Sequence, residues 1–160
     1  MRLEANEAPK TGGSIFVEGA DISVDSCAFI ANVAPIGAAI FLGENSGATV
    51  TNSFFQDNVA TQVGGADIAA LLSTISIEGS EFVGGTGPGV GAALHIDRPF
   101  SVKILHSTFS PLMDGADTVF LAGRLGGCNE HPCNPGQACS CKCTNDLHQP
   151  LGCATLTDCL

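Results

Sequence analysis

The chain has 160 residues, a formal net charge of −10, 44% hydrophobic and 14% charged residues, and neither Trp nor Tyr. That balance excludes a disordered tail, and an acidic chain without a basic patch has no electrostatic reason to bind nucleic acid or an anionic membrane. No run reaches the length of a bilayer span and Met1-Arg2-Leu3-Glu4 does not begin a signal peptide, so the signal of an exported protein would lie upstream.

Taken in chain order, the apolar stretches are short. Leu3 comes first, with Asn6 three residues on, followed by Ser14-Ile15-Phe16-Val17 and Ile22-Ser23-Val24. Phe29 with Asn32, Gly37-Ala38-Ala39-Ile40 and Ala48-Thr49-Val50 repeat that order, and Phe55 with Asn58 begins it again. Phe29, Phe55, Phe82 and Phe109 thus return every 26 or 27 residues, with Leu3 holding the same place one interval earlier. Five residues before each Phe stands Val24, Val50, Ile77 or Ile104, and two before it Cys27, Ser53, Ser80 or Ser107. A glycine-led run follows each beat: Gly12-Gly13-Ser14-Ile15, Gly37-Ala38-Ala39-Ile40, Gly64-Gly65-Ala66-Asp67-Ile68 and Gly91-Ala92-Ala93-Leu94. A fixed period of this size marks an array of units that bury their apolar faces against each other.

Short stretches rich in Ile, Val and Phe and broken by Gly, Asn and Asp read as strands and turns, not helices. About three strands and three turns per repeat describe one coil of a right-handed parallel β-helix. The expected fold is all-β, with this β-helix over residues 1–127 and a small disulfide-rich module over 128–160. Coils stacked at about 4.8 Å would make a body roughly 20 to 25 Å long. The Phe and Val/Ile columns would stack inside, each buried side chain contributing about 1.5 to 3 kcal/mol. The Asn column would sit in a turn, bonding the Asn of the next coil and entering left-handed backbone conformations. Where that column becomes Gly85 and then Leu112, the turn should loosen.

The paired Gly-Gly-Ala-Ile and Phe-x-x-Asn patterns, at Gly12 to Ile15, Gly37 to Ile40, Phe29 to Asn32 and Phe55 to Asn58, resemble the repeats of the chlamydial polymorphic outer membrane proteins. The resemblance covers roughly residues 3 to 122. It implies a β-helical passenger acting in adhesion, a secreted or cell-surface location, and no catalytic residues. The chain departs from the pattern at Asp67, at Gly85 and in its Cys-rich end. Because Leu3 and Asn6 occupy the Phe and Asn columns, the sequence opens partway through a coil. An open coil edge invites strand addition, so the expected partners are the rest of a longer parent polypeptide, other protein chains, or further copies of this one.

Seven of the eight cysteines lie near the end: Cys128, Cys133, Cys139, Cys141, Cys143, Cys153 and Cys159. A segment this small and poor in large apolar residues draws stability from cross-links. Its start, Cys128-x4-Cys133-x5-Cys139-x-Cys141 with Pro132, Asn134 and Gly136, resembles an EGF-type module. Three disulfides would leave one thiol over. The rival reading is a zinc site using Cys-Ser-Cys-Lys-Cys with His131 and His148, although zinc sites usually show two separated Cys knuckles. No metal or other cofactor is expected. Cys27, in a column of serines, reads as a buried thiol.

Two surface readings remain. Parallel β-helices include polysaccharide lyases and hydrolases, whose chemistry needs clustered carboxylates. The candidate cluster is Asp67, His95, Asp97 and Arg98, with Asp67 aligned to Ile40 and Leu94 unless a one-residue bulge turns Ile68 inward. The alternative is a carboxylate hydrogen-bonded at a turn and two solvated side chains, so a carbohydrate-active enzyme or glycan-binding β-helix is the minority reading. The other feature is an apolar column. If Ile15, Ile40, Leu94 and Val119 point inward, alternation sends Phe16, Phe41, Ile68 and Phe120 outward as a stripe broken by His95. Strands apolar on both faces are usually covered on both, so the stripe is expected to pack on a partner or on another part of the parent protein, or equally to be covered by an N-terminal or C-terminal segment of this chain. The function expected on these grounds is a structural or adhesive piece of a larger surface protein.

Overall fold

A computed structural model describes residues 1–88, 91–110 and 119–122. They form sixteen strands and, among the described residues, no helix. In chain order the strands are β1 (Arg2–Glu4), β2 (Ile15–Val17), β3 (Asp21–Asp25), β4 (Ala28–Ile30) and β5 (Val33–Ala34). There follow β6 (Ile40–Leu42), β7 (Gly47–Thr51), β8 (Phe54–Gln56), β9 (Val59–Ala60), β10 (Ile68–Leu71) and β11 (Thr74–Glu78). The last are β12 (Glu81–Val83), β13 (Leu94–Asp97), β14 (Ser101–Leu105), β15 (Thr108–Phe109) and β16 (Val119–Ala122).

Each strand pairs in parallel with its counterpart one repeat away. The first sheet runs β1-β4-β8-β12-β15, the second β2-β6-β10-β13-β16 and the third β3-β7-β11-β14, with β5 and β9 forming a small fourth ladder. The chain is therefore a parallel β-solenoid of about four turns. The Cys-rich module expected over 128–160 lies outside the described residues.

The aromatic beat is the core. Leu3 pairs with Phe29, Phe29 with Phe55, and Phe82 with both Phe55 and Phe109. Successive rings stack at 4.8, 4.6 and 4.6 Å with planes within 8° of parallel. Val24, Val50, Ile77 and Ile104 form a second buried column beside them in the third sheet. Inter-coil spacing in a parallel sheet, about 4.8 Å, matches offset ring stacking, so backbone pairing and aromatic contact reinforce one another.

Tight corners bring the chain back over itself, and most of them place a residue in the left-handed region. These residues also stack: Gly12, Gly37, Gly65 and Gly91 at one corner, Gly19, Asn45, Leu72 and Arg98 at the next, then Ser26, Asn52, Gly79 and His106, and finally Ala5, Ala31, Asp57 and Gly84. The asparagines of the Phe-x-x-Asn pattern are not the left-handed residues; the residue just before each one is. That division follows from their separate tasks, because the turn needs a positive φ while the asparagine must face inward to bond across coils. Asn6 and Asn32 each donate through Nδ2 to Oδ1 of the next asparagine at 2.9 Å, and Asn32 and Asn58 are fully buried.

A second ladder joins the serines. Each of Ser53, Ser80 and Ser107 accepts a backbone N–H from the preceding coil, from Cys27, Ser53 and Ser80 respectively. Each also donates its hydroxyl to the carbonyl two residues back. Cys27 heads this column, its thiol donating to the Asp25 carbonyl oxygen; it is half-buried, not enclosed.

Truncating the ring in the middle of the aromatic stack tests which side of the strand carries the core. Phe55→Ala should lower unfolding free energy by about 3 to 5 kcal/mol, as deleting a fully buried Phe usually does, whereas Phe54→Ala, one residue away on the half-buried face, should lose less than half of that. Urea denaturation followed by circular dichroism separates the two.

Candidate functional site

The second sheet carries both surface features legible in the sequence, and its register decides between them. Ile15 pairs with Ile40, Ile40 with Ile68, Ile68 with Leu94 and Leu94 with Val119. Ile68 is therefore an inward residue with no exposure, and the outward column reads Phe16, Phe41, Ala69, His95, Phe120. The expectation that Ile68 joins the outward stripe is corrected: the left-handed corner that stacks on Gly37 and Gly91 is Gly65, not Gly64, so the motif is shifted by one residue. The additional residues are taken up by the corner between β9 and Gly65.

Phe16 is 53% exposed and stacks on half-buried Phe41 at 5.5 Å with planes 5° apart. His95 and Phe120 make a tilted contact at 5.0 Å. The Phe16 and Phe41 rings lie face to face along the coil axis, and Phe16, on the terminal strand of the sheet, is stacked on one side only. Between the two pairs Ala69 is almost wholly covered. The column also leans over the glycine corner: a Cβ added to Gly65 would stand 2.9 Å from the His95 Cβ and 3.0 Å from the Ala69 Cβ.

The four candidate catalytic residues do not share a site. Asp67 stands at the level of Ser14, Ala39 and Ala93, one residue before the inward Ile68, and is completely buried. Its alignment with Ile40 and Leu94 is thereby corrected. Its Oδ1 accepts from Asn58 Nδ2 at 2.8 Å. Burial pushes the carboxyl up to about 8; the Asn58 bond opposes that shift and the nearby Asp57 charge adds to it. Asp97 lies at the other end of the strand on the outer face, paired with Arg98 at 3.3 Å, and pairs in register with Leu71. The four-residue offset from Asp67 to Leu71 is about 13 Å along the strand. Paired glycosidase carboxylates sit about 5 to 9.5 Å apart on one cleft wall, so Asp67 and Asp97 are not such a pair. His95 and Asp97 are the two outward residues of β13, and Arg98 occupies a left-handed corner.

Among the described residues no group of three or more His, Cys, Asp or Glu is arranged to hold a metal ion. The cysteines named above from Cys128 onward lie outside the described residues. The sequence reading missed the Asn58–Asp67 pair. The signal was there: Gly85 breaks the asparagine column one coil after Asp67 places a carboxyl where the other coils carry Ser14, Ala39 and Ala93.

No protein-family model and no solved structure matches the chain. It is similar to a Dictyostelium discoideum protein described as metabotropic glutamate receptor-like protein R, 24% identical over 120 residues. The match takes in 73% of this chain and 8% of that protein, so the chain spans under a tenth of the relative's length.

Two glycine replacements check how closely the outward column presses on its corner. Gly19 is left-handed with nothing within 4 Å of an added Cβ, whereas Gly65 is left-handed and crowded. Gly19→Ala should lose only the conformational term, about 1 kcal/mol, and Gly65→Ala should lose roughly 2 to 4 kcal/mol because overpacking is added. Thermal denaturation of the two variants gives the comparison.

Proposed function

We propose that this solenoid is a structural, non-catalytic segment of a larger secreted or cell-surface polypeptide, and that its outward stripe on the second sheet is a protein-contact surface. The observation that carries the reading is Phe16, a large ring 53% exposed at the end of an apolar column on a strand whose other face is already core. Exposed aromatics gathered in a column mark contact surfaces more often than scattered ones do.

The reading draws as well on the resemblance of the Gly-x-x-Ile and Phe-x-x-Asn repeats to those of the polymorphic outer membrane proteins, and on the EGF-like spacing of the terminal cysteines. A surface role fits both, as does a partner drawn from the parent polypeptide, another protein chain or a further copy. The separation of buried Asp67 from the Asp97–Arg98 pair counts against a polysaccharide-cleaving site built from them.

The double variant Phe16→Glu/Phe41→Glu tests this. It should still unfold cooperatively, with a melting temperature lowered by several degrees because Phe41 is half-buried and the two like charges stand in register, and should lose assembly or cell-surface retention, read by native mass under non-reducing conditions and by binding to intact cells. A double variant that folds and keeps both properties would remove the stripe as a contact surface.

A further inference from the structure

The asparagine ladder is broken at one rung and mended from the side. In its intact part Asn6 and Asn32 donate to Oδ1 of the next asparagine, while Asn32 and Asn58 also donate to the carbonyl oxygens of Leu3 and Phe29, the residues at the aromatic position one coil back. Continued by one coil, the pattern needs a residue at position 85 that accepts from Asn58 and donates to the Phe55 carbonyl. Gly85 has no side chain to do either.

Asn58 donates instead to Asp67 Oδ1, nine residues on in its own coil, at the level from which Ser14 accepts from Asn6 at 3.2 Å. The second oxygen, Oδ2, is fully buried and has no hydrogen-bond partner among the described residues. It lies 2.8 Å from where a Cβ on Gly85 would stand. The carboxyl thus fills the volume left by the missing asparagine. In the coil of Phe29, where the next rung is Asn58, the residue at this level is the small Ala39.

We propose that Asp67 and Gly85 form an exchanged rung, in which Asp67 as a neutral carboxylic acid stands in for the absent asparagine and makes the joint between the coils of Phe55 and Phe82 sensitive to pH. A carboxylic acid reproduces the two faces of a carboxamide: its carbonyl oxygen accepts, as Asn Oδ1 does, and its hydroxyl donates, as Nδ2 does. An ionised carboxylate loses the donor and leaves a charge in the core.

Among the described residues the surroundings offer no compensating cation. Asp57 faces Asp67 from the turn of its own coil. At this level β6 and β13 are preceded by Ala39 and Ala93, and the following coil contributes Gly84, Gly85 and Thr86. The charged residues of β13 and its corner, Asp97 and Arg98, lie at the far end of the strand, and His95 is on its outer face. With the carboxyl raised to about 8 in the fold and at about 3.9 in the unfolded chain, stability is full below about pH 4 and is lost as pH rises through about 8.

The test is urea unfolding of the full chain between about pH 5 and pH 9, comparing wild type with Asp67→Asn, Asp67→Ala and Asp67→Ala/Gly85→Asn. The wild-type unfolding constant should rise on the order of 10²- to 10³-fold more across that range than that of Asp67→Asn, which keeps both hydrogen-bonding faces and cannot ionise. Asp67→Ala/Gly85→Asn rebuilds the arrangement of Ala39 with Asn58, and should be more stable than Asp67→Ala and as insensitive to pH as Asp67→Asn. An Asp67→Asn profile with the wild-type slope, or a double variant weaker than Asp67→Ala, would overturn the proposal. If the double variant does not fold, infrared difference spectra of wild type against Asp67→Asn near pH 7 decide: a protonated carboxyl band lost in the variant supports the exchanged rung, and its absence from wild type overturns it.

Discussion

Every feature of this solenoid depends on the chain returning to the same azimuth after each coil, so that strand lies over strand and column over column. Inter-coil backbone hydrogen bonds fix the vertical spacing, and all other contacts must fit that repeat. Aromatic rings do so because their stacking distance nearly equals the spacing of paired strands. Asparagine amides and serine hydroxyls do so because each can accept from one neighbouring coil while donating elsewhere. The corners make the return possible, and they hold residues such as Leu72 and Ala31 in a left-handed conformation that L-residues ordinarily avoid. That expense, roughly 1 to 2 kcal/mol for a residue with a side chain, is met by the paired strands on either side.

Much of this was legible in the sequence because the constraint is periodic. A Phe that must stack on another Phe recurs at the length of a coil, and the columns of Val/Ile, Ser and Asn recur with it; the placement of Leu3 over Phe29 and Asn6 over Asn32 followed from the same count. What could not be counted was the place where a coil absorbs extra residues. Between Phe55 and Gly65 the chain is longer than between Phe29 and Gly37, and two adjacent glycines, Gly64 and Gly65, hid which one makes the corner. One residue of slippage reverses inside and outside along a strand. Ile68 was consequently assigned outward and Asp67 aligned with Ile40. The left-handed residues were also misplaced by one, because Asn tolerates that conformation well and the sequence does not reveal that its amide is already committed across the coils.

The corrected register changes what the second sheet offers. Small Ala69 replaces a large apolar residue in the middle of the outward column, so the stripe is two aromatic contacts with a covered alanine between them. The only wholly buried carboxyl among the described residues belongs to the internal ladder and not to the surface. Carboxylates that sequence alignment brings near one another can thus occupy opposite faces of the same wall, one serving cohesion and one solvated. This separation is too wide for a paired-carboxylate site built from Asp67 and Asp97.

The asparagine ladder has a direction. Asn6 and Asn32 each donate from Nδ2 to the asparagine of the next coil, while Asn32 and Asn58 also donate to a carbonyl of the previous one, so the amides are joined in series and polarise each other. Such a row has unlike ends. At Asp67 it terminates on a group from outside the column. The ladder is therefore a vectorial element, each amide handing a donor to the coil that follows until Gly85 leaves that place to Asp67.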